Sequence, residues 1–325
     1  MSLFLGIEIG GTKLQLVLGS HESSTSQLHG KDQSLLTSAT TQWRVAERLR
    51  FAVSKEEGAV GIRRHIEQSI QSIVQKNKIT AIGVGFGGPV DWQTGTICCS
   101  HQIEGWSEFP IAEWLASMTD APVFVDNDAN VAAFGEALQG AGVGYDPLFY
   151  VTMGSGVGGG LVSNGIIYHG AKPGESEIGH VRLDKTGRIV EESCSGWAVD
   201  RKIRKMILEN PNSSLARLIG VSQGNEAGFL KSALEANDSI AQEILDETAE
   251  DLAFGLSHVV HLFHPEIIVL GGGLSLVGEP LRAAVTHHLD RFVMRAFSPR
   301  PIIALAKLGE DAVPIGALEC ARIHH

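Results

Sequence analysis

The stretch LFLGIEIGGTKLQLVL, residues 3–18, places two apolar runs on either side of a small-residue turn, Gly10-Gly11-Thr12-Lys13. Apolar runs that flank a glycine-rich turn predict a β-hairpin. The pattern returns in LFYVTMGSGVGGGLV, residues 148–162, where an apolar strand leads into a glycine loop at 154–160. Each half of the chain is therefore predicted to begin with a hairpin of this kind.

A second pair of segments also matches between the two halves. ITAIGVGFGGP, residues 79–89, and PEIIVLGGG, residues 265–273, each run from an apolar strand into a glycine turn. Both follow stretches with helical spacing of apolar residues, at 62–74 and 240–263. This duplication predicts an α/β fold with two related domains facing each other across a central cleft.

The junction between the domains is predicted near the short apolar strand Val123–Val125. The predicted smaller domain comprises residues 1–126 together with a terminal helix in 311–325, and the larger domain comprises 127–310. A charged stretch at 41–58 is interpreted as a surface excursion that holds a strand and a loop.

Composition excludes several classes of protein. A net charge of −11, without a run of Lys or Arg, argues against nucleic-acid binding. The sequence shows neither a signal peptide nor an apolar run of about 18 residues, so neither secretion nor membrane insertion is expected. The four cysteines include no C-x-x-C pair, which favours a reducing cytoplasm.

The glycine turns are candidate phosphate-binding elements. A tight turn of small residues directs successive N–H groups at one point and binds phosphate without net positive charge. The candidates are Gly10, Gly11, Thr12 and Lys13, then Gly154, Ser155 and Gly156, and finally Gly272 and Gly273. None matches the P-loop pattern, and a purely structural turn remains open for each one taken alone.

Polar residues follow the strand at the predicted junction. Asp126, Asn127 and Asp128 precede a helix, where Asp and Asn are also ordinary N-caps. A carboxylate there can accept the proton of a substrate hydroxyl that attacks a γ-phosphate. Carboxylates in a later glycine-rich loop, such as Glu177, suit a ligand that is rich in hydroxyl groups.

Taken together, these motifs resemble the ROK family (repressors, open reading frames and sugar kinases) of the hexokinase–actin–Hsp70 superfamily. The resemblance covers nearly the whole chain and implies two actin-like (ribonuclease H-like) domains, ATP with Mg²⁺, and a hexose substrate. It implies Asp128 as catalytic base. The implied sugar contacts are Gly88, Gln102, Asn127, Glu177, His180 and Glu191.

Four departures from the family pattern matter. Glu8 stands where an Asp is usual, which affects a contact to Mg²⁺ through water, and Gln102 stands where Asn is frequent. Many members carry a zinc site built from a His and a cysteine run, but residues 184–191 contain no cysteine, so no zinc is expected. The chain begins at the first hairpin rather than with a helix-turn-helix domain, so no DNA binding is expected.

The favoured function is that of a cytoplasmic, glucokinase-like hexose kinase that uses ATP, attacks through the sugar 6-OH and forms a homodimer. Two alternatives stay open at this point. One is a glucokinase that uses polyphosphate as donor, since such members of the family also lack the zinc cysteines. The other is a sugar sensor without catalytic activity, for which Glu8 is the one local indication.

Overall fold

The computed structural model of the protein describes residues 2–22, 42–100, 102–172, 176–220 and 224–325. The strands are β1 (Leu3–Ile9), β2 (Lys13–Glu22), β3 (Gln42–Ala52), β4 (Ile79–Phe86), β5 (Val90–Asp91), β6 (Thr96–Ile97), β7 (Val123–Asn127), β8 (Leu148–Met153), β9 (Val157–Ser163), β10 (Ile166–Ile167), β11 (Ile267–Gly271) and β12 (Ile302–Leu305). The α-helices are α1 (Gly58–Val74), α2 (Ile111–Thr119), α3 (Asp128–Gln139), α4 (Val190–Cys194), α5 (Gly196–Glu209), α6 (Ser214–Ile219), α7 (Leu230–Glu235), α8 (Ser239–Phe263), α9 (Glu279–Phe292) and α10 (Ala312–Ile323).

The chain forms two compact units. The first comprises Met1–Gly135, Ala171–Gly174 and Asp311–His325, and the second comprises Glu136–Gly170 and Glu175–Glu310. The terminal helix α10 belongs to the first unit, although it follows the second unit in sequence. The predicted domain bounds, 1–126 with 311–325 and 127–310, stay a prediction.

The first unit is built on a five-stranded sheet with the order β3-β2-β1-β4-β7. β1 and β2 form the predicted antiparallel hairpin, while β4 and β7 run parallel to β1. β4 reads as a continuous apolar run because a central parallel strand is buried on both faces. The charged stretch interpreted as a surface excursion is largely β3, the edge strand of this sheet.

Helices cover both faces of this first sheet. The isoleucines of α1 pack with the sheet interior in one core cluster, as the helical spacing predicts. On the other face, α10 packs through Leu318 and Ala321 against Phe4, Val17 and Ala81. A Cβ on Gly83 would lie 1.9 Å from the Ala317 carbonyl oxygen, so glycine in β4 permits the close approach of α10.

The second unit repeats the same sheet order, β10-β9-β8-β11-β12. β8 and β9 form an antiparallel hairpin, and β11 and β12 extend the sheet in parallel. α8 and α9 contribute to the core cluster of this unit with residues such as Leu252, Leu256 and Leu281. The predicted duplication of a hairpin followed by parallel strands is therefore present in both sheets.

Two element boundaries differ from the sequence prediction. The loop predicted at 154–160 ends early, since β9 begins at Val157 and includes the three following glycines. These glycines pair antiparallel with residues 150–152 of β8, and packing requires a glycine at one of them, since a Cβ on Gly159 would lie 2.8 Å from the Ser176 carbonyl oxygen. α3 begins at Asp128 itself, whereas the sequence pattern predicts a helix that begins after Asp128. Within the described residues, each helix is too short or too polar to cross a lipid bilayer.

Candidate active site

Strand register brings three segments of the first unit together. Ile9 of β1 is the Cα partner of Phe86 in β4, and Phe86 is the partner of Asn127 in β7. Since all three strands are parallel, the residues that follow them meet at the carboxyl edge of the sheet, where α/β proteins bind ligands. Hydrogen bonding supports this arrangement, because Gly87 N donates to Ile9 O at 2.8 Å.

The Asp128 carboxylate lies next to the first glycine turn. A Cβ on Gly87 would stand 3.3 Å from Asp128 Oδ2 and 3.5 Å from the Gly10 Cα. Asp128 is half-buried at the first position of α3, so its place is set by the register of β7 and by the helix start. The predicted base and the predicted phosphate turn therefore lie side by side in one unit.

Asn127 is held by hydrogen bonds at both ends of its side-chain amide. Its Oδ1 accepts from Ala129 N at 2.8 Å and so caps α3, while its Nδ2 donates to Gly88 O at 3.3 Å. This leaves at most one amide N–H for a substrate hydroxyl. The predicted sugar contact Asn127 and the predicted sugar contact Gly88 are thus neighbours.

Asp126 stabilises the turn from β7 into α3. Its Oδ1 accepts from the backbone N–H of Asn127 at 2.7 Å and from the side-chain amide of the buried Asn130 at 3.0 Å. The sequence predicted the polar cluster but assigned no role to Asn130, because the contact depends on the turn from strand to helix.

Gln102 lies over the first glycine turn. A Cβ on Gly11 would stand 1.6 Å from Gln102 Oε1 and 2.7 Å from its Cδ. The Gln102 side chain is otherwise exposed. Gln102, predicted as a sugar contact, therefore also lies against the turn predicted to bind the nucleotide.

Glu8 is the centre of a polar cluster beside that turn. Its Oε1 lies 3.3 Å from Lys13 Nζ, and its Oε2 accepts from Gln15 Nε2 at 2.7 Å. Gln15 Oε1 in turn accepts from Arg50 Nε at 2.7 Å. Gln15 is fully buried, and sequence reasoning missed both it and Arg50. The one available signal was a polar residue at an inward position of the apolar run in β2.

In the second unit, three loops converge on the second glycine turn. Gly154 N donates to Gly156 O at 2.9 Å, and Gly196 N donates to Gly154 O at 2.7 Å. Gly272 approaches from β11, where a Cβ would stand 2.5 Å from Met153 N. Ser155 is half-buried in this turn, and Gly273, directly after Gly272, is exposed. The predicted nucleotide residues of this unit therefore form one group.

The predicted sugar contacts of the second unit surround Val157, the first residue of β9. Glu191 Oε2 accepts from Val157 N at 2.9 Å. The short 3-10 helix Ile178–His180 packs on the same residue, since a Cβ on Gly179 would stand 2.2 Å from Val157 O. Glu177 and His180 are exposed at the two ends of this segment. The structure thus places Glu177, His180 and Glu191 beside the second glycine turn.

Metal ligands do not cluster in the part of the chain that the structure describes: no three His, Cys, Asp or Glu side chains there could hold a metal ion. The expected absence of zinc stays a prediction. A magnesium ion carried by nucleotide phosphates asks for only one or two protein carboxylates. Glu8, beside the first glycine turn, is one such carboxylate.

Comparison with known proteins identifies the family. Residues 4–323 match the ROK family. A glucokinase from Halalkalibacterium halodurans is 30% identical over 328 residues, covering 96% of this chain and 93% of that protein. A glucokinase from Thermotoga maritima is 28% identical, covering 96% and 95%. The chain belongs to the ROK family.

A solved structure agrees with this assignment. The crystal structure of a ROK family glucokinase from Streptomyces griseus, in complex with glucose and AMPPNP, matches with a TM-score of 0.80 and 26% identity, and 99% of each chain is covered. The predicted ROK resemblance and the predicted α/β class with two actin-like domains are confirmed. The predicted central cleft and the role of each site residue stay predictions.

Proposed function

We propose that this protein transfers the γ-phosphoryl group of ATP to a hexose, at the 6-OH, with Asp128 as general base. Its family and its glucokinase relatives make it a sugar kinase, that is, a phosphotransferase. The S. griseus relative binds glucose and AMPPNP, which supports a hexose acceptor and ATP as donor here.

The observation that carries the proposal is the position of Asp128. Its Oδ2 lies beside Gly87 and the Gly10 turn, so a hydroxyl bound at this carboxylate would stand next to phosphate held by the turn. A general base must lie within hydrogen-bond reach of the proton that it removes. In this proposal Asp128 accepts the hydroxyl proton as the sugar oxygen attacks phosphorus.

The remaining residues bind and orient the substrates. Asn127, fixed by the α3 cap and by Gly88 O, donates its remaining N–H to a sugar hydroxyl. Glu177 and Glu191 contact further hydroxyls, because a carboxylate can accept from two of them, and His180 contacts another through a ring nitrogen. Gln102 contributes an amide between the sugar and the first turn.

The nucleotide is held by backbone rather than by a basic patch. N–H groups for the phosphate oxygens come from the turns at Gly10–Lys13, at Gly154–Gly156 and at Gly272-Gly273. Because the chain has a net charge of −11, such local donors are needed to bind a polyanion. Glu8 would contact Mg²⁺ through its bound water. When bound, that ion supplies positive charge to the phosphate oxygens.

A coupled assay of ADP release with Mg·ATP across a panel of hexoses tests the proposal. ADP release that depends on one hexose would support it, and phosphorylation of the 6-OH can be read from the product by NMR. A matched reaction with polyphosphate and no ATP separates the donor alternative. Hexose binding without transfer to any sugar would contradict the proposal and favour a sensor.

Two further parts of the proposal concern the localisation of the protein and its oligomeric state. We expect a cytoplasmic protein, in line with four cysteines that form no disulfide, and a homodimer, which is common in the family. Sedimentation equilibrium at micromolar concentration would decide the oligomeric state.

A further inference from the structure

Residues 181–190 form a short hairpin between two predicted sugar contacts. Val190 N donates to Val181 O at 3.0 Å, and Leu183 N donates to Arg188 O at 2.8 Å. Arg182 and Ile189 complete it with an antiparallel bridge. His180 and Glu191 directly flank this hairpin. The pairing of its two strands therefore brings both residues to the same end of the hairpin.

One carboxylate organises the tip of the hairpin. Asp184 Oδ1 accepts from the Thr186 hydroxyl at 2.6 Å, from Thr186 N at 2.8 Å and from Gly187 N at 3.1 Å. Gly187 has a φ of +111°, a conformation that side chains rarely adopt, so the tip also requires glycine at this position. The tip therefore has a fixed shape that depends on Asp184.

Arg188 connects this tip to the core of the unit. Its Nε donates to Asp184 Oδ2 at 3.3 Å, and its Nη1 donates to Asp251 Oδ2 at 2.8 Å. Asp251 belongs to the long helix α8, and its side chain is only 13% exposed. The hairpin is thus anchored at its tip to a helix of the core.

The residues at the open end of the hairpin contact Val157, which directly follows the second glycine turn. Glu191 accepts from Val157 N, and Gly179, next to His180, packs against Val157 O. A change in the hairpin would therefore move His180 and Glu191 relative to each other and to the strand β9.

We infer that Asp184 is a positioning residue for hexose binding: it fixes the hairpin tip and thereby the spacing of His180 and Glu191. The inference rests on the proposed function for those two side chains. Asp184 acts through the hairpin and not as a ligand of the hexose itself.

The charge of Asp184 persists over the pH range in which cytoplasmic enzymes work. The hydrogen bond from the Thr186 hydroxyl, followed by those from Arg188 and the backbone, lowers the pKa of Asp184 to about 2. The carboxylate therefore stays ionised, and able to accept these hydrogen bonds, at neutral pH.

The test compares Asp184→Ala with Asp184→Asn and with Lys185→Ala, a control at an exposed position of the same tip. Asp184→Ala is expected to raise the hexose KM about tenfold and to leave the ATP KM within twofold, since small misplacements of binding groups are costly. Asp184→Asn keeps one oxygen acceptor and should lie between Asp184→Ala and the wild type. Lys185→Ala should match the wild type.

Hydrogen exchange provides a readout that does not depend on activity. Asp184→Ala should speed exchange of the Leu183 and Val190 amides at least tenfold relative to Lys185→Ala. Unchanged exchange would overturn the role of Asp184 in closing the hairpin, and faster exchange with an unchanged hexose KM would overturn its role in positioning. A wild type that phosphorylates no hexose would instead contradict the proposed function, while exchange would still decide whether Asp184 closes the hairpin.

Discussion

Gln15 donates a hydrogen bond from its side-chain amide to Glu8 at 2.7 Å, from a fully buried position in β2. Glu8, Gln15 and Arg50 are Cα partners across β1, β2 and β3. Because a guanidinium can only donate, Arg50 orients the Gln15 oxygen toward itself and the amide N–H₂ toward Glu8. Glu8, which stands where the family usually has aspartate, is thus the last acceptor in a row of hydrogen bonds that runs from Arg50 through Gln15. We call this row the polar ladder.

A double-mutant cycle tests whether this ladder matters for nucleotide use. Gln15→Met removes the hydrogen bond at similar volume and should lower kcat/KM for Mg·ATP about tenfold. Glu8→Asp shortens the side chain by one methylene, so the same Gln15 change should have little further effect in that background. The expected coupling is about 1 kcal/mol or more, from steady-state kinetics of the four proteins. Additive effects would mean that Gln15 does not act through Glu8.

The contact of Gln102 with Gly11 leads to a second prediction. Gly11→Ala would place a Cβ 1.6 Å from Gln102 Oε1, and the flexible amide must move away. The hexose KM should therefore rise about fivefold, as expected for loss of a hydrogen bond of about 1 kcal/mol, and to a similar extent in Gln102→Ala. The double variant should be no worse than either single one. A double variant with additive losses would contradict this account.

Neighbouring glycines in the third turn should respond differently to alanine. Gly272 has a φ of +78°, and a Cβ there would stand 2.5 Å from Met153 N, whereas a Cβ on Gly273 would meet nothing within 4 Å. Gly272→Ala should lower the free energy of unfolding by about 2 kcal/mol or more, from backbone strain and overpacking. Gly273→Ala should change it by less than about 0.5 kcal/mol. Urea unfolding measures both, and equal losses would show that the turn relaxes freely.

Acid stability should depend on a bidentate ion pair in the second unit. Arg204 donates to both oxygens of Glu226 and lowers the pKa of that carboxyl to about 2, below its ordinary value of 4.5. A carboxylate with a lowered folded-state pKa stabilises the protein above about pH 4.5, and this contribution is lost as the pH falls toward 2. Wild type should therefore lose stability between pH 5 and 3 more steeply than Arg204→Gln.

The control for this comparison is Lys205→Gln, which removes one positive charge at the adjacent exposed position. Thermal unfolding followed by circular dichroism between pH 3 and 6 gives the slope for each protein. If Arg204→Gln and Lys205→Gln show the same dependence of unfolding temperature on pH, the net charge of the protein rather than the ion pair with Glu226 controls acid stability.

Much of the fold was predictable because its signals are local. Apolar runs ending in glycine turns identified both hairpins, and helical spacing identified α1 and α8. The extent of β9 was missed because Gly158–Gly160 look like a loop in isolation, and only their antiparallel pairing with β8 makes them a strand.

The first-unit site was predictable as a set of segments but not as a network. The sequence indicated the Gly10 turn and Asp128 as separate segments, and the strand order of the structure brings them together, because both follow parallel strands of one sheet. The ladder from Arg50 to Glu8 depends on the pairing of β3 with β2, which no local pattern determines. The same holds for Arg188, which pairs with Asp184 in its own hairpin and with Asp251 on α8, far away in sequence.

Asp128→Asn tests the central claim most directly. This change keeps the shape of the side chain but removes its ability to accept a proton, so hexose binding should persist while turnover falls by a factor of about 10² to 10⁴. The measurement pairs the coupled assay of ADP release with calorimetric titration of the same hexose. Retained binding with this loss of turnover is the predicted result. Turnover near the wild-type value, with binding intact, would contradict the assignment of Asp128 as the base.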